Sequence, residues 1–333
     1  MRTQLSTSSW LTLAITLAFV IPIQSPARVV CAQEASAEPS PVVTNAPIEQ
    51  LTSDIIDNRR IYNTFVNRGR RLLEAEPVYD GKDIRQRVTE APSRADVVLP
   101  QVPGVVSDEF HDRLRKASVM VGSLYDCGRC NNLHGNISGG VLVSQDGLVL
   151  TNYHVLNRNK DEKVQGMVAM NHLGQCYSIG EVLAAWESID LALIKLRTSD
   201  IHEPVPLAKS NPKPLSNVVV MSHPHNEFFV VTTGLVSRLT KPTMEGDSTT
   251  WLEITAEFSG GSSGSGVFNS QGELVGLVSR IHPMFREQNR NARGQKQDQE
   301  GAQNETASGR MVYPEQILRR CVPVESIHKM LTP

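Results

Sequence analysis

The sequence predicts an all-β protein of barrel type, on three observations. Its Val- and Leu-rich runs are short and alternate with small or polar residues, the period-2 pattern of half-buried strands. Gly, Asn, Asp and Pro punctuate those runs at short intervals, supplying the turns an all-β chain needs. The length of 333 residues accommodates one pair of barrel domains with extensions. A formal net charge of -2 gives no electrostatic reason to expect a nucleic-acid partner.

Taken in chain order, Arg2 precedes an apolar stretch over residues 10–23, and Val30-Cys-Ala32 offers small residues before Gln33. This is the layout of a secretory signal peptide over residues 1–32, so the mature chain is expected to be exported, periplasmic or secreted. The apolar stretch is short for a span and is broken by Pro22, so no membrane span is expected once the signal is cleaved. Residues 33–50 are rich in Ala, Pro and Ser and read as a disordered linker.

Over residues 51–75, Leu51, Ile55, Tyr62, Val66 and Leu73 recur at helical spacing, with Arg59, Arg60, Arg70 and Arg71 as a basic face. That pattern predicts an amphipathic helix, either packed on the barrel or acting as a prosegment, membrane-surface or docking helix. Residues 76–106 read as a further linker. A short helix over 108–116 and a first strand over 118–124 then open the domain predicted for 107–333.

Within that domain, Gly140-Val-Leu-Val-Ser-Gln-Asp-Gly-Leu-Val-Leu-Thr151 is two alternating runs joined at Asp146-Gly147, a strong hairpin signal. Thr151-Asn-Tyr-His154 follows, placing His154 just past a strand end. Asp190 opens Asp-Leu-Ala-Leu-Ile-Lys-Leu196, where its carboxylate enters a core. Residues 286–310 are almost devoid of apolar side chains and read as a disordered insertion. The chain closes with a strand edge and a C-terminal helix for which Ser326 serves as N-cap.

His154, Asp190 and Ser263 are residue types that together activate a hydroxyl. A serine is a poor nucleophile until a base removes its proton, and His154 is the candidate base. Asp190 would hold the imidazole tautomer and stabilise the imidazolium. The glycines of Gly260-Gly-Ser-Ser-Gly-Ser-Gly266 allow a tight turn in which the amides of Gly261 and Ser263 converge on a developing oxyanion.

With these motifs, the region from about Arg115 to Leu331 resembles the trypsin-like, chymotrypsin-fold serine peptidases, leaning towards the bacterial Deg/HtrA and glutamyl-endopeptidase branches. The blocks that carry the resemblance are Gly139-Gly-Val-Leu-Val through Thr151-Asn-Tyr-His-Val155, Asp190-Leu-Ala-Leu-Ile-Lys195, Ser222-His-Pro224 with Gly234-Leu-Val-Ser237, and the glycine-serine turn. The order His, Asp, Ser is also that of the chymotrypsin architecture.

The resemblance implies two six-stranded antiparallel Greek-key barrels, an acyl-enzyme mechanism on protein or peptide substrates, and no cofactor. It selects Ser263 over Ser262 and Ser265 because the family pattern reads Gly-x-Ser-Gly. Ser262 departs from that pattern, standing where Asn or Asp is usual, and Gly266 stands where Pro or Ala is frequent. It also implies that Glu257 lies near the floor of the substrate pocket, with Leu277-Val-Ser-Arg280, hence Val278, Ser279 and Arg280, as a wall. A carboxylate there would favour Lys or Arg at P1, against the alternative that Glu257 faces solvent or pairs with Arg280. A PDZ domain is not expected.

Four cysteines follow the signal, Cys127, Cys130, Cys176 and Cys321. In the resembling fold, the loop carrying Cys127 and Cys130 lies beside the one carrying Cys176. Three readings follow: a disulfide from Cys176 to one of the pair, a structural zinc on Cys127, Cys130, Cys176 and His172 or His134, or free thiols. The remaining histidines, His223 and His225 among them, read as structural or solvated. Against the peptidase stands a reading from another class, a catalytically silent trypsin-like scaffold that binds protein partners.

Overall fold

The computed structural model describes residues 45–48, 51, 54–104, 109–157, 163–241, 250–285 and 314–332. The predicted signal peptide and insertion, and residues 33–44 and 49–50 of the linker, lie outside these; residues 45–48 are not a free linker, Ile48 N–H donating to Leu173 O at 2.9 Å and Asn45 Oδ1 accepting from Cys176 N–H at 2.8 Å.

Among the described residues, twelve strands form two closed six-stranded barrels. The first contains β1 (Ser118–Asp126), β2 (Leu133–Leu142), β3 (Leu148–Thr151), β4 (Lys163–Met170), β5 (Cys176–Trp186) and β6 (Leu191–Leu196), closing in the order β1-β2-β3-β6-β5-β4. The second contains β7 (Asn217–Ser222), β8 (Val230–Thr240), β9 (Trp251–Ile254), β10 (Gly266–Phe268), β11 (Leu274–Met284) and β12 (Gln316–Pro323), in the order β10-β11-β12-β9-β8-β7. Every pairing between strands is antiparallel.

The predicted turn at Asp146-Gly147 joins β2 to β3. Val143 N–H donates to Leu148 O at 2.9 Å, and Gly147 takes φ +90°, which a side chain would resist. Barrel cores fill from the inward members of these alternating runs, such as Val121, Val149 and Ile194 in the first and Val220, Leu252 and Val267 in the second.

Among the described residues five α-helices flank the barrels, and three differ from expectation. α1 (Asn58–Ala75) begins seven residues later than the pattern suggests, because the Asp57 carboxylate caps it by accepting from Arg60 N–H at 2.9 Å. Ile55 accordingly lies outside the helix and faces solvent. The helix buries Ile61, Phe65, Val66 and Gly69 on the first barrel, with Phe65 fully inside the cluster that holds Leu124, Ile137 and Met170.

The stretch predicted as a linker, 76–106, contains α2 (Gly81–Glu90), capped by Asp80, whose Ile84 and Val88 join the barrel core. Two apolar residues one turn apart are too few to register as a periodic pattern. The chain then crosses to the C-terminal helix, Ala95 N–H donating to Met330 O at 2.7 Å. α3 (Phe110–Ala117) runs into β1, and the four-residue α4 (Tyr153–Leu156) follows β3. The closing α5 (Val324–Leu331) starts at Pro323, whose fixed φ suits a helix entry, so Ser326 is a buried helical residue and not the cap.

Candidate active site

His154 sits in α4, immediately after β3 delivers the chain to the open end of the first barrel. Asp190 precedes β6 and adopts a left-handed conformation, φ 58°, at the end of the turn Glu187–Ile189; Asp tolerates this region better than bulkier residues. Asp190 is tied to His154 and to the residue two before it. Asp190 Oδ1 accepts from the His154 backbone N–H at 3.1 Å, the Asp190 carbonyl accepts from Asn152 Nδ2 at 2.8 Å, and His154 Nδ1 lies 2.9 Å from both carboxylate oxygens.

The Asp190 side chain is 4% exposed. Burial alone would raise its pKa, but the hydrogen bond and charge of His154 and a hydrogen bond from Ser279 outweigh it, leaving the carboxyl below the usual carboxylate value. Ser279 reaches Asp190 because the β11–β12 register slips between Val278 and Arg280; the bulge turns Ser279 Oγ out of the ladder, and it donates to Asp190 Oδ2.

Ser263 comes from the second barrel. Its Oγ lies 2.9 Å from His154 Nε2. The turn bearing it is clamped from both sides: Gly139 N–H of β2 donates to Ser263 O at 2.8 Å, and Gly264 N–H donates to Val278 O at 2.9 Å. This contact between barrels needs glycine on each side. A Cβ at Gly139 would come within 2.1 Å of Ser265 Oγ, and one at Gly264 within 2.2 Å of Gly139 O. The two competing serines are elsewhere. Ser262 is fully buried and donates to Ser222 Oγ at 3.1 Å, and Ser265 packs against Gly139.

Gly261 takes φ +93°, and among the described residues the N–H groups of Gly261 and Ser263 have no hydrogen-bond partner. The peptide before Gly261 is oriented by the Gly260 carbonyl, which accepts from His225 N–H at 2.8 Å. The loop over 223–229 therefore roofs the turn, with positive φ at His225, Asn226 and Phe229. Three such non-glycine residues in five store strain of a kind that clusters at functional sites. Sequence reasoning read His223 and His225 as structural or solvated. The signal that could have found this loop is the Ser222-His-Pro224 block itself.

The predicted pocket residues separate. Glu257 does not form a floor: its side chain is 79% exposed and pairs with Arg319 at 3.1 Å, since six residues before Ser263 the chain is still on the outer face. Val278 is a core residue, and Ser279 supports Asp190. Arg280 stacks over Trp251 at 4.6 Å and holds its guanidinium 3.9 Å from Asp190 Oδ2.

The cysteine readings also divide. All four described cysteines are free thiols. Cys127 and Cys130 lie together at the tip of the β1–β2 hairpin with His134, whereas Cys176 and His172 do not join them. Register explains why. Asp126 pairs with Lys163 but Met120 pairs with Met170, so the β4–β5 turn lies at the opposite end of β1, about 20 Å away at a strand's rise per residue. Cys176 is instead buried under α1, where loss of solvent pushes its thiol up to about 12. Burial, seconded by the charge of Arg115, pushes His172 down to about 4.

Compared with known proteins, residues 138–277 match a family model described as a trypsin-like peptidase domain. The serine endoprotease DegS of Haemophilus influenzae is 30% identical over 146 residues, covering 43% of this chain and 41% of that protein. A probable periplasmic serine endoprotease DegP-like of Hahella chejuensis is 30% identical over 144 residues, 43% of this chain and 29% of that one. DegS of Escherichia coli K12 is 27% identical over 175 residues, 49% of this chain and 46% of that one. The chain thus matches less than half the length of these relatives.

Proposed function

We propose that this chain, which carries a trypsin-like peptidase domain, is an exported serine endopeptidase that cleaves peptide bonds through an acyl-enzyme. One observation carries the reading: a single imidazole lies 2.9 Å from a buried carboxylate on one side and 2.9 Å from a serine hydroxyl on the other, beside two unpaired amides.

In this reading Ser263 Oγ attacks the scissile carbonyl carbon as His154 Nε2 takes its proton. Asp190 remains ionised, holds Nδ1–H and stabilises the imidazolium. The carbonyl oxygen, now carrying the negative charge, enters the space faced by Gly261 and Ser263 N–H, each donor being worth about 3 kcal/mol in the transition state. His154 then returns the proton to the leaving amine, and water deacylates Ser263 by the same steps in reverse roles. Protein or peptide substrates follow from the chemistry.

Export rests on the predicted signal over residues 1–32 and on relatives, one of them described as periplasmic. No helix among the described residues is long and apolar enough to cross a membrane.

The test is labelling of the purified mature chain with a fluorophosphonate, which reacts only with a serine activated by its base. Labelling that vanishes in Ser263→Ala, together with a fall in peptide hydrolysis on the order of 10⁶-fold, is the expected result. A folded wild type that resists the probe would make the silent scaffold the better reading.

A further inference from the structure

We infer that the tip of the β1–β2 hairpin is a zinc site, with Cys127 and Cys130 as thiolate ligands, His134 as the imidazole ligand through Nε2, and a fourth position open to water.

The three donor atoms already stand where an ion would hold them. Cys127 Sγ and Cys130 Sγ are 3.5 Å apart, Cys130 Sγ and His134 Nε2 are 3.1 Å apart, and all three atoms lie within 4.8 Å of one another. A tetrahedral zinc with bonds of about 2.3 Å to sulfur and 2.0 Å to nitrogen separates its ligands by roughly 3.5–3.8 Å. For the 3.5 Å and 3.1 Å separations, shifts of a few tenths of an ångström at an exposed tip reach those values.

Local sequence builds this arrangement. Gly128 takes φ +66° and donates its N–H to Asp126 Oδ1 at 2.7 Å, a turn that puts both sulfurs on one side of the tip. The third ligand is set by the ladder: His134 pairs with Tyr125 across the hairpin, and its ring rests on the Tyr125 ring with centroids 5.6 Å apart. Gly135, the next residue, donates to Tyr62 Oη of α1 at 3.0 Å, so the His134 backbone is held on the helix side as well.

Donor chemistry selects the ion class. Two thiolates and an imidazole suit a borderline-soft d¹⁰ cation and exclude magnesium or calcium, which want oxygen. Cys130 is exposed, so the fourth coordination position faces solvent. Binding forms two Zn–S bonds and one Zn–N bond and releases one proton from each thiol that was protonated, with no redox change.

The experiment uses the mature chain, reduced with a phosphine and stripped by chelator, then titrated with Zn²⁺ alone against a chromophoric competitor, with Co²⁺ as a spectroscopic stand-in. One equivalent of Zn²⁺ per chain is expected, with sulfur-to-cobalt charge transfer in the Co²⁺ form. Cys127→Ser and Cys130→Ser should each lower affinity at least about 100-fold, His134→Asn should also weaken it, and Cys176→Ala should leave it unchanged. These three ligands lie outside the barrel cores, and thermal unfolding of each variant checks the fold.

Less than stoichiometric binding to the reduced wild type would overturn the site. So would binding indifferent to Cys127→Ser, or a Cys127–Cys130 disulfide that persists through the reduction. None of these readouts depends on peptidase activity.

Discussion

The two barrels share a topology but differ in what covers them. The first wears α1 on its outside and takes Ile84 and Val88 of α2 into its core, and among the described residues none of its strands exposes a large apolar side chain. The second exposes Val231, Leu235 and Leu239 on β8, Ile281 and Met284 on β11, and Ile317 on β12. Their contributions to the site differ in the same sense. The covered barrel holds His154 and Asp190 to each other, and takes one supporting bond to Asp190 from Ser279 of the second barrel. The barer one presents Ser263 on a turn whose shape depends on Gly139 from across the interface and on the strained 223–229 loop. Stability and chemistry are thus placed in separable parts: apolar cover on the outside of one barrel, polar bonds across the joint between the two.

The largest effect that tests this division is expected at the joint. Asp190→Asn keeps the volume but presents an amide N–H to His154, favouring the wrong tautomer, and kcat should fall about 10⁴-fold. Thermal unfolding should move little by comparison. A loss of less than tenfold would mean that Asp190 is not the orienting group.

Next in size is a change that should break the cover and spare the chemistry. Phe65→Ala removes a fully buried ring that α1 inserts into the first barrel, and should destabilise by about 3–5 kcal/mol. At a temperature where the variant stays folded, kcat should remain near wild type. Collapse of kcat with an unchanged denaturant midpoint would show that helix and site are one unit.

How much of this was legible in the sequence depends on the range of the interaction concerned. The barrel strands and the β2–β3 hairpin are written in alternation and turn residues, which are local. His154, Asp190 and Ser263 each sit in a short distinctive string, and the fold brings the three side chains together. What escaped is non-local. α2 carries too few apolar residues to show a period. Ser279 bonds to Asp190 only because of a register slip, and Glu257 faces outward although the family resemblance implies a place near a pocket floor. The Cys176 error was topological, since adjacent strands on one sheet can place their turns at opposite ends of a barrel.

His223 lies where the two barrels meet, and it predicts how the joint responds to acid. Its ring is 1% exposed and packs against Phe228 and Phe229, and its Nδ1 accepts from Phe229 N–H at 3.2 Å, which requires that nitrogen unprotonated. Burial pushes its pKa down to about 4, with the Val119 carbonyl of the other barrel opposing. Because 4 lies below the unfolded value of about 6.5, the unfolded chain binds more protons between these limits. The stability contributed by His223 is therefore complete above about pH 6.5 and is lost as pH falls towards 4, at most about 3 kcal/mol over the window. His172, also pushed down to about 4, acts in the same window and sense. Denaturant midpoints measured from pH 7.5 to 4 should fall steeply in the wild type and less steeply in His223→Asn, and flatten further when His172→Asn is added. A wild-type midpoint that stayed level across that range would show that water reaches the joint, and that the barrels are less tightly closed on one another than the bonds between Gly139 and Ser263 and between Ser279 and Asp190 imply.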